Sequence, residues 1–157
     1  APEILVDVVL ILDGGPCEIG LESTVVDMTG DVPRILRPGA ISRAEIQAMA
    51  GMPLGHAPPN SVKASPGMYR RHYAPKTPVV LVSELTATDA GLTFGDPANP
   101  NQTRMPKDPI AYGATIYAAL KQLDSLNLNR ICVQEPPDEP AWEAVLDRLR
   151  KASANLA

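Results

Sequence analysis

The chain has 157 residues, a formal net charge of −4 and 45% hydrophobic residues. That is enough apolar material for one ordinary domain or two small ones, and it argues against a disordered chain. A broad cationic face for nucleic acid is disfavoured, because no basic run is longer than Arg70-Arg71. No apolar stretch approaches the ~20 residues of a membrane helix, no secretory leader pattern is present, and two cysteines are too few for a disulfide or metal framework. A reduced, cytoplasmic setting is the expectation.

Taken in order, residues 8–12 read as a buried strand. The stretch 13–39 follows as D-G-G-P-C-E-I-G-L-E-S-T-V-V-D-M-T-G-D-V-P-R-I-L-R-P-G. Its glycines open a turn into Ser23-Thr24 and a strand over 23–28. A second turn at Thr29-Gly30-Asp31 returns the chain through a strand over 34–37 to the Arg37-Pro38-Gly39 corner. A glycine-rich turn with a guanidinium beside it is chemistry suited to an anion. Ser42 with Glu45 forms a capping box for a helix over 43–50 that stops at Gly51. Three strands and one short helix bury little area, so residues 1–52 are expected to be the tail of a longer domain.

The 17 prolines are far above the usual ~5%, and those between 53 and 78 predict a semi-rigid linker. Within it Arg70, Arg71, His72 and Tyr73 form an unusual string for a spacer, and a lid is the functional reading of it. Residues 78–157 read as a small α/β unit. Strands are predicted over 79–82, 92–94, 102–105 and 130–134, with helices over 110–126 and 141–154. Asp108-Pro109 supplies the cap and first residue of the former helix. Strands alternating with helices predict a mostly parallel sheet. No G-x-G-x-x-G follows a strand, so nucleotide binding there has no motif support. Cys17 reads as a small buried apolar group, and no spacing of Asp or Glu fits a metal loop.

Two motif sets resemble one family. Leu21-Glu22-Ser23-Thr24-Val25-Val26-Asp27 with Ile35-Leu36-Arg37-Pro38-Gly39, and Ser65-Pro66-Gly67-Met68 with His72-Tyr73-Ala74-Pro75, are similar to the YrdC-like threonylcarbamoyl-AMP synthases in their long, two-domain form. The resemblance implies an α/β catalytic remnant over 1–52, a Pro-rich linker over 53–77 and a small Rossmann-like α/β domain over 78–157. It implies synthesis of L-threonylcarbamoyl-AMP from L-threonine, bicarbonate and ATP, with Mg2+ accompanying the ATP, pyrophosphate as co-product, and tRNA threonylcarbamoyladenosine modification as the destination.

By the same resemblance Ser23, with Thr24 beside it, contacts the L-threonine end, Arg37 is a nucleotide-phosphate ligand, and residues 70–73 close the cleft. No catalytic acid or base and no protein-held metal is implied. The family's Lys-x-Arg and Ser-x-Asn motifs lie upstream of the matched residues, so this chain alone is expected to be inactive. Partner proteins of tRNA modification are compatible with that setting. The rival readings are an RNA-binding or translation-associated module, which the charge disfavours, and a non-catalytic regulatory or interaction domain.

Overall fold

The computed structural model describes residues 10, 12, 14–15, 17–56 and 74–153. The proposed lid, Arg70, Arg71, His72 and Tyr73, lies outside them, as does most of the strand expected over 8–12. The two described members of that strand, Leu10 and Leu12, are exposed and belong to no element.

A small first sheet is built from β1 (Val25–Asp27), β2 (Arg34–Arg37) and β3 (Gly55–His56). β1 and β2 are antiparallel, with Val25 opposite Arg37 and Asp27 opposite Arg34. The turn between them is closed by the Asp27 carboxylate, which accepts the Thr29 N–H (2.9 Å) and hydroxyl (2.7 Å). α1 (Arg43–Ala50) follows. Its capping box is complete: the Ser42 hydroxyl accepts the Glu45 N–H, and the Glu45 carboxylate accepts the Ser42 N–H. Gly51, at φ 67°, ends the helix in the left-handed conformation. β3 then pairs parallel to β2. It falls inside the stretch expected to be linker. A two-residue strand carries no periodicity, so only its partner edge reveals it.

The second sheet has the order β4-β7-β5-β6 and every pairing in it is parallel. Its strands are β4 (Val79–Val82), β5 (Gly91–Thr93), β6 (Gln102–Arg104) and β7 (Ile131–Gln134). α2 (Pro109–Asp124) and α3 (Glu143–Ser153) complete the fold, a short 3-10 turn at Pro140–Trp142 leading into α3. This is the α/β class the alternating pattern predicts. β7 is buried at Ile131, Cys132 and Val133 alike, not on alternate residues. A parallel strand in the middle of a sheet is covered on both faces.

The connections from β4 to β5 and from β5 to β6 are too short for a crossover helix. Side-chain amides hold them instead. Gln102 Nε2 donates to the Thr86 and Asp89 carbonyls, and Asn99 Nδ2 to those of Ala87 and Asp89. The core lies between the second sheet and its helices. It is largely aliphatic (Leu92, Ile116, Leu120, Leu123, Val133, Val145, Leu149), with Tyr112 and Trp142 also in it and Phe94 packed against it.

Candidate functional site

Ser23 and Arg37 meet because the β1–β2 pairing brings the start of one strand beside the end of the other. Arg37 is buried. Its Nε and Nη2 donate to the Ser23 carbonyl at 3.2 and 3.0 Å, and Nη2 reaches the Ser23 hydroxyl at 3.2 Å. Thr24 is adjacent, but its hydroxyl donates to the Ile41 carbonyl. Gly39 makes this corner possible. A Cβ there would lie 2.3 Å from the Glu22 carbonyl oxygen and from the Thr24 nitrogen. Only a residue without a side chain lets the Pro38-Gly39 turn rest on the Ser23 backbone.

A second layer from the α/β unit supports this corner. Glu22 precedes Ser23, and its carboxylate accepts from Arg148 Nε at 2.8 Å and pairs with Nη2 at 2.7 Å. Arg148 Nη2 also donates to the Pro38 carbonyl at 3.1 Å. The Tyr117 hydroxyl reaches the same carboxylate at 3.4 Å. Asp147 takes the far side of the Arg148 guanidinium and is itself held by Lys151 at 2.7 Å.

Burial pushes the Glu22 carboxyl up, but its own backbone hydrogen bond and the charges of Arg148 and Arg37 outweigh that and hold it below the usual value. The same surroundings act on Tyr117. Desolvation first, then the Glu22 charge, push its phenol up to about 12. Gly20 docks the segment on α2, since a Cβ there would fall 2.2 Å from the Ala114 Cα.

Two spaces flank the corner. One is an open groove of about 580 Å3, with Leu36, Arg43 and His56 on one wall and Glu143, Asp147 and Arg150 on the other. The other is a smaller cavity of about 160 Å3 bordered by Thr24, Gly39, Ser42 and Glu143. Of the sequence-predicted residues, Thr24 borders the small cavity; Ser23 and Arg37 are not among the residues lining either space.

In open α/β sheets ligands usually sit beyond the carboxyl ends of the strands. Here that end is filled. Gln134 Oε1 accepts from Thr93 and Phe94, its Nε2 donates to the Ser83 carbonyl, and Phe94, Tyr112 and Trp142 pack with ring centroids 5.5 to 5.7 Å apart. Among the described residues no group of three or more His, Cys, Asp or Glu could hold a metal ion, and no helix is long and apolar enough to cross a membrane.

Residues 41–154 match the family described as threonylcarbamoyl-AMP synthase, C-terminal domain. The chain belongs to that family. A threonylcarbamoyl-AMP synthase of Bacillus subtilis is 32% identical over 91% of this chain and 48% of its own length. A solved structure of Pyrococcus abyssi Sua5 complexed with L-threonine superposes with a TM-score of 0.74 at 27% identity, covering 90% of this chain and 48% of that one. A P. abyssi Sua5 variant with adjacent histidine and tyrosine changed to alanine gives 0.77 at 26% identity, over 90% and 47%. The chain therefore spans about half the length of the synthases it matches.

Sequence reasoning missed Arg148, Tyr117 and Arg43. Arg148 lies next to Leu149 on the apolar face of α3, a position for an aliphatic residue unless a carboxylate waits opposite it. That placement, with Asp147 and Lys151 four apart, was the available signal. Cys17, expected to be buried, is exposed. The glycine turn it follows contributes no side chains to cover it. His56 meets Arg43 Nη2 through Nδ1 at 3.1 Å.

Proposed function

We propose that these residues belong to an L-threonylcarbamoyl-AMP synthase serving tRNA threonylcarbamoyladenosine modification, with the Ser23–Arg37 corner at the substrate end. The observation that carries the reading is that corner, a hydroxyl ahead of β1 and a buried guanidinium at the end of β2, 3.2 Å apart, in a chain of the synthase C-terminal domain family. Ser23 and Thr24 would meet L-threonine, the ligand named for the P. abyssi structure.

In the reaction the threonine amine adds to the carbon of bicarbonate, water leaves, and a carbamate results. A carbamate oxygen attacks the α-phosphorus of ATP. The bond to the bridging oxygen breaks, and pyrophosphate departs with its electron pair. Mg2+ arrives on the ATP phosphates as part of the substrate. No general base on the protein is needed, so positioning, water exclusion and charge neutralisation supply the catalysis.

The buried positive charge of Arg37 favours the growing negative charge on phosphate. It also fixes the Ser23 carbonyl and hydroxyl. His72-Tyr73 repeats the histidine–tyrosine dipeptide replaced in the P. abyssi variant, which supports residues 70–73 as a lid that keeps water from the carbamate. The reading is tested by pyrophosphate release from the protein expressed from its complete gene. Release that requires ATP, L-threonine and bicarbonate together is expected; release indifferent to threonine would overturn it. The 157-residue chain alone is expected to be inactive.

A further inference from the structure

We propose that Arg148 is a positioning residue for the Ser23–Arg37 pair, so that the α/β unit carrying α3 sets the geometry of the substrate end. This rests on the synthase reading above. One guanidinium bonds the residue immediately before Ser23 and the residue immediately after Arg37, namely the Glu22 carboxylate and the Pro38 carbonyl. Arg37 ends β2, whereas Ser23 lies in the segment that leads into β1. A single planar fork therefore holds that segment and the end of β2 at the point where they must agree.

The clamp is rigid for four reasons. Arg148 is 5% exposed, so packing restricts its rotamers. Asp147 takes its remaining edge. Tyr117, from α2, reaches the same Glu22 carboxylate, so two helices converge on one residue. The Ala40 N–H donates to the Glu22 carbonyl, tying that residue back to the corner through its main chain as well. Lysine would keep the charge but has no fork to span a carboxylate and a carbonyl at once. If the clamp loosens, Ser23 and Arg37 shift relative to each other, and a displacement of ~1 Å at a positioning group can cost as much as 100-fold.

The test uses the protein expressed from its complete gene, with initial rates of pyrophosphate release at varied L-threonine and varied ATP. Arg148→Met, Arg148→Lys and Tyr117→Phe are compared with wild type. Arg148→Met is expected to raise the KM for threonine roughly tenfold and the KM for ATP in the same direction, with Arg148→Lys intermediate and Tyr117→Phe a few-fold. A merely structural role would lower the apparent kcat in proportion to the folded fraction and leave both KM values where they were; that result overturns the proposal. Should Arg148→Met fail to fold, Arg148→Lys and Tyr117→Phe decide, and wild-type KM values in both overturn it. Wild type without threonine-dependent release sinks the synthase reading itself, and the positioning role with it.

Discussion

Arg43 and Glu143, 100 residues apart in sequence, meet at 3.0 Å where α1 and α3 begin. Arg43 also donates to the Leu54 and Gly55 carbonyls at 3.0 and 3.3 Å, so it ties β3 and the first sheet to the α/β unit. Replacing Arg43 with methionine keeps the stem but leaves a carboxylate and two carbonyls without their donor. The loss is expected to be about 1–3 kcal/mol, read as a lower urea midpoint with an unchanged slope.

On the proposed synthase reading, Arg37→Ala should be a severely damaging change for pyrophosphate release by the protein expressed from its complete gene. It removes a buried charge and frees the Ser23 carbonyl. A fall in kcat/KM corresponding to ~2–4 kcal/mol is expected, as for other preorganised donors. Arg37→Lys should rescue little, since one ammonium cannot repeat the paired Nε and Nη2 bonds. An enzyme that retains most of its rate in both variants would remove Arg37 from the site.

Gly39→Ala tests the corner from the backbone side. The added carbon would sit 2.3 Å from main-chain atoms of Glu22 and Thr24, which cannot swing away as a flexible side chain can. The turn must lift from the strand. The expected outcome is destabilisation by about 1–3 kcal/mol, together with loss of hydrogen-exchange protection at the Ala40 amide, which otherwise donates to the Glu22 carbonyl.

The pH dependence follows from Glu22. Its folded pKa lies below the ordinary glutamate value, so the folded state favours the charged form. Its contribution to stability is fully present above about pH 4.5 and is lost as the pH falls through the folded value. Glu22→Gln should therefore be destabilising at pH 7, and the gap to wild type should close under acid. Denaturant melts at pH 7 and pH 3 measure the gap; an equal gap at both would show that the ion pair contributes nothing.

The two cysteines should react very differently. Cys17 is exposed, whereas Cys132 is buried in β7 with its thiol pushed up by desolvation and by the Asp89 carboxylate it faces. A disulfide reagent should label one thiol quickly in the native chain and the second only on unfolding. Rapid labelling of both would mean that β7 is not held in the sheet.

Local chemistry made much of the fold legible. β2, β4 and α1 have the bounds their residues predict, because a capping box, a left-handed glycine and short apolar runs act within one element. Asp108 and Pro109 start α2 for the same reason. The parallel sheet followed from the alternation of strands and helices. β3 was not legible, since Gly55–His56 is a strand only by virtue of the β2 edge beside it.

Residue by residue, the sequence determined the Ser-Thr and Arg-Pro-Gly corners, the bounds of α1 and the start of α2, all set by interactions between neighbours in the chain. Tertiary structure alone decided that Arg37 turns inward onto Ser23, and that Arg148 holds Glu22 across a separation of 126 residues. A buried ion pair depends on the desolvated space both partners share. That space exists only once the two sheets and their helices have packed together.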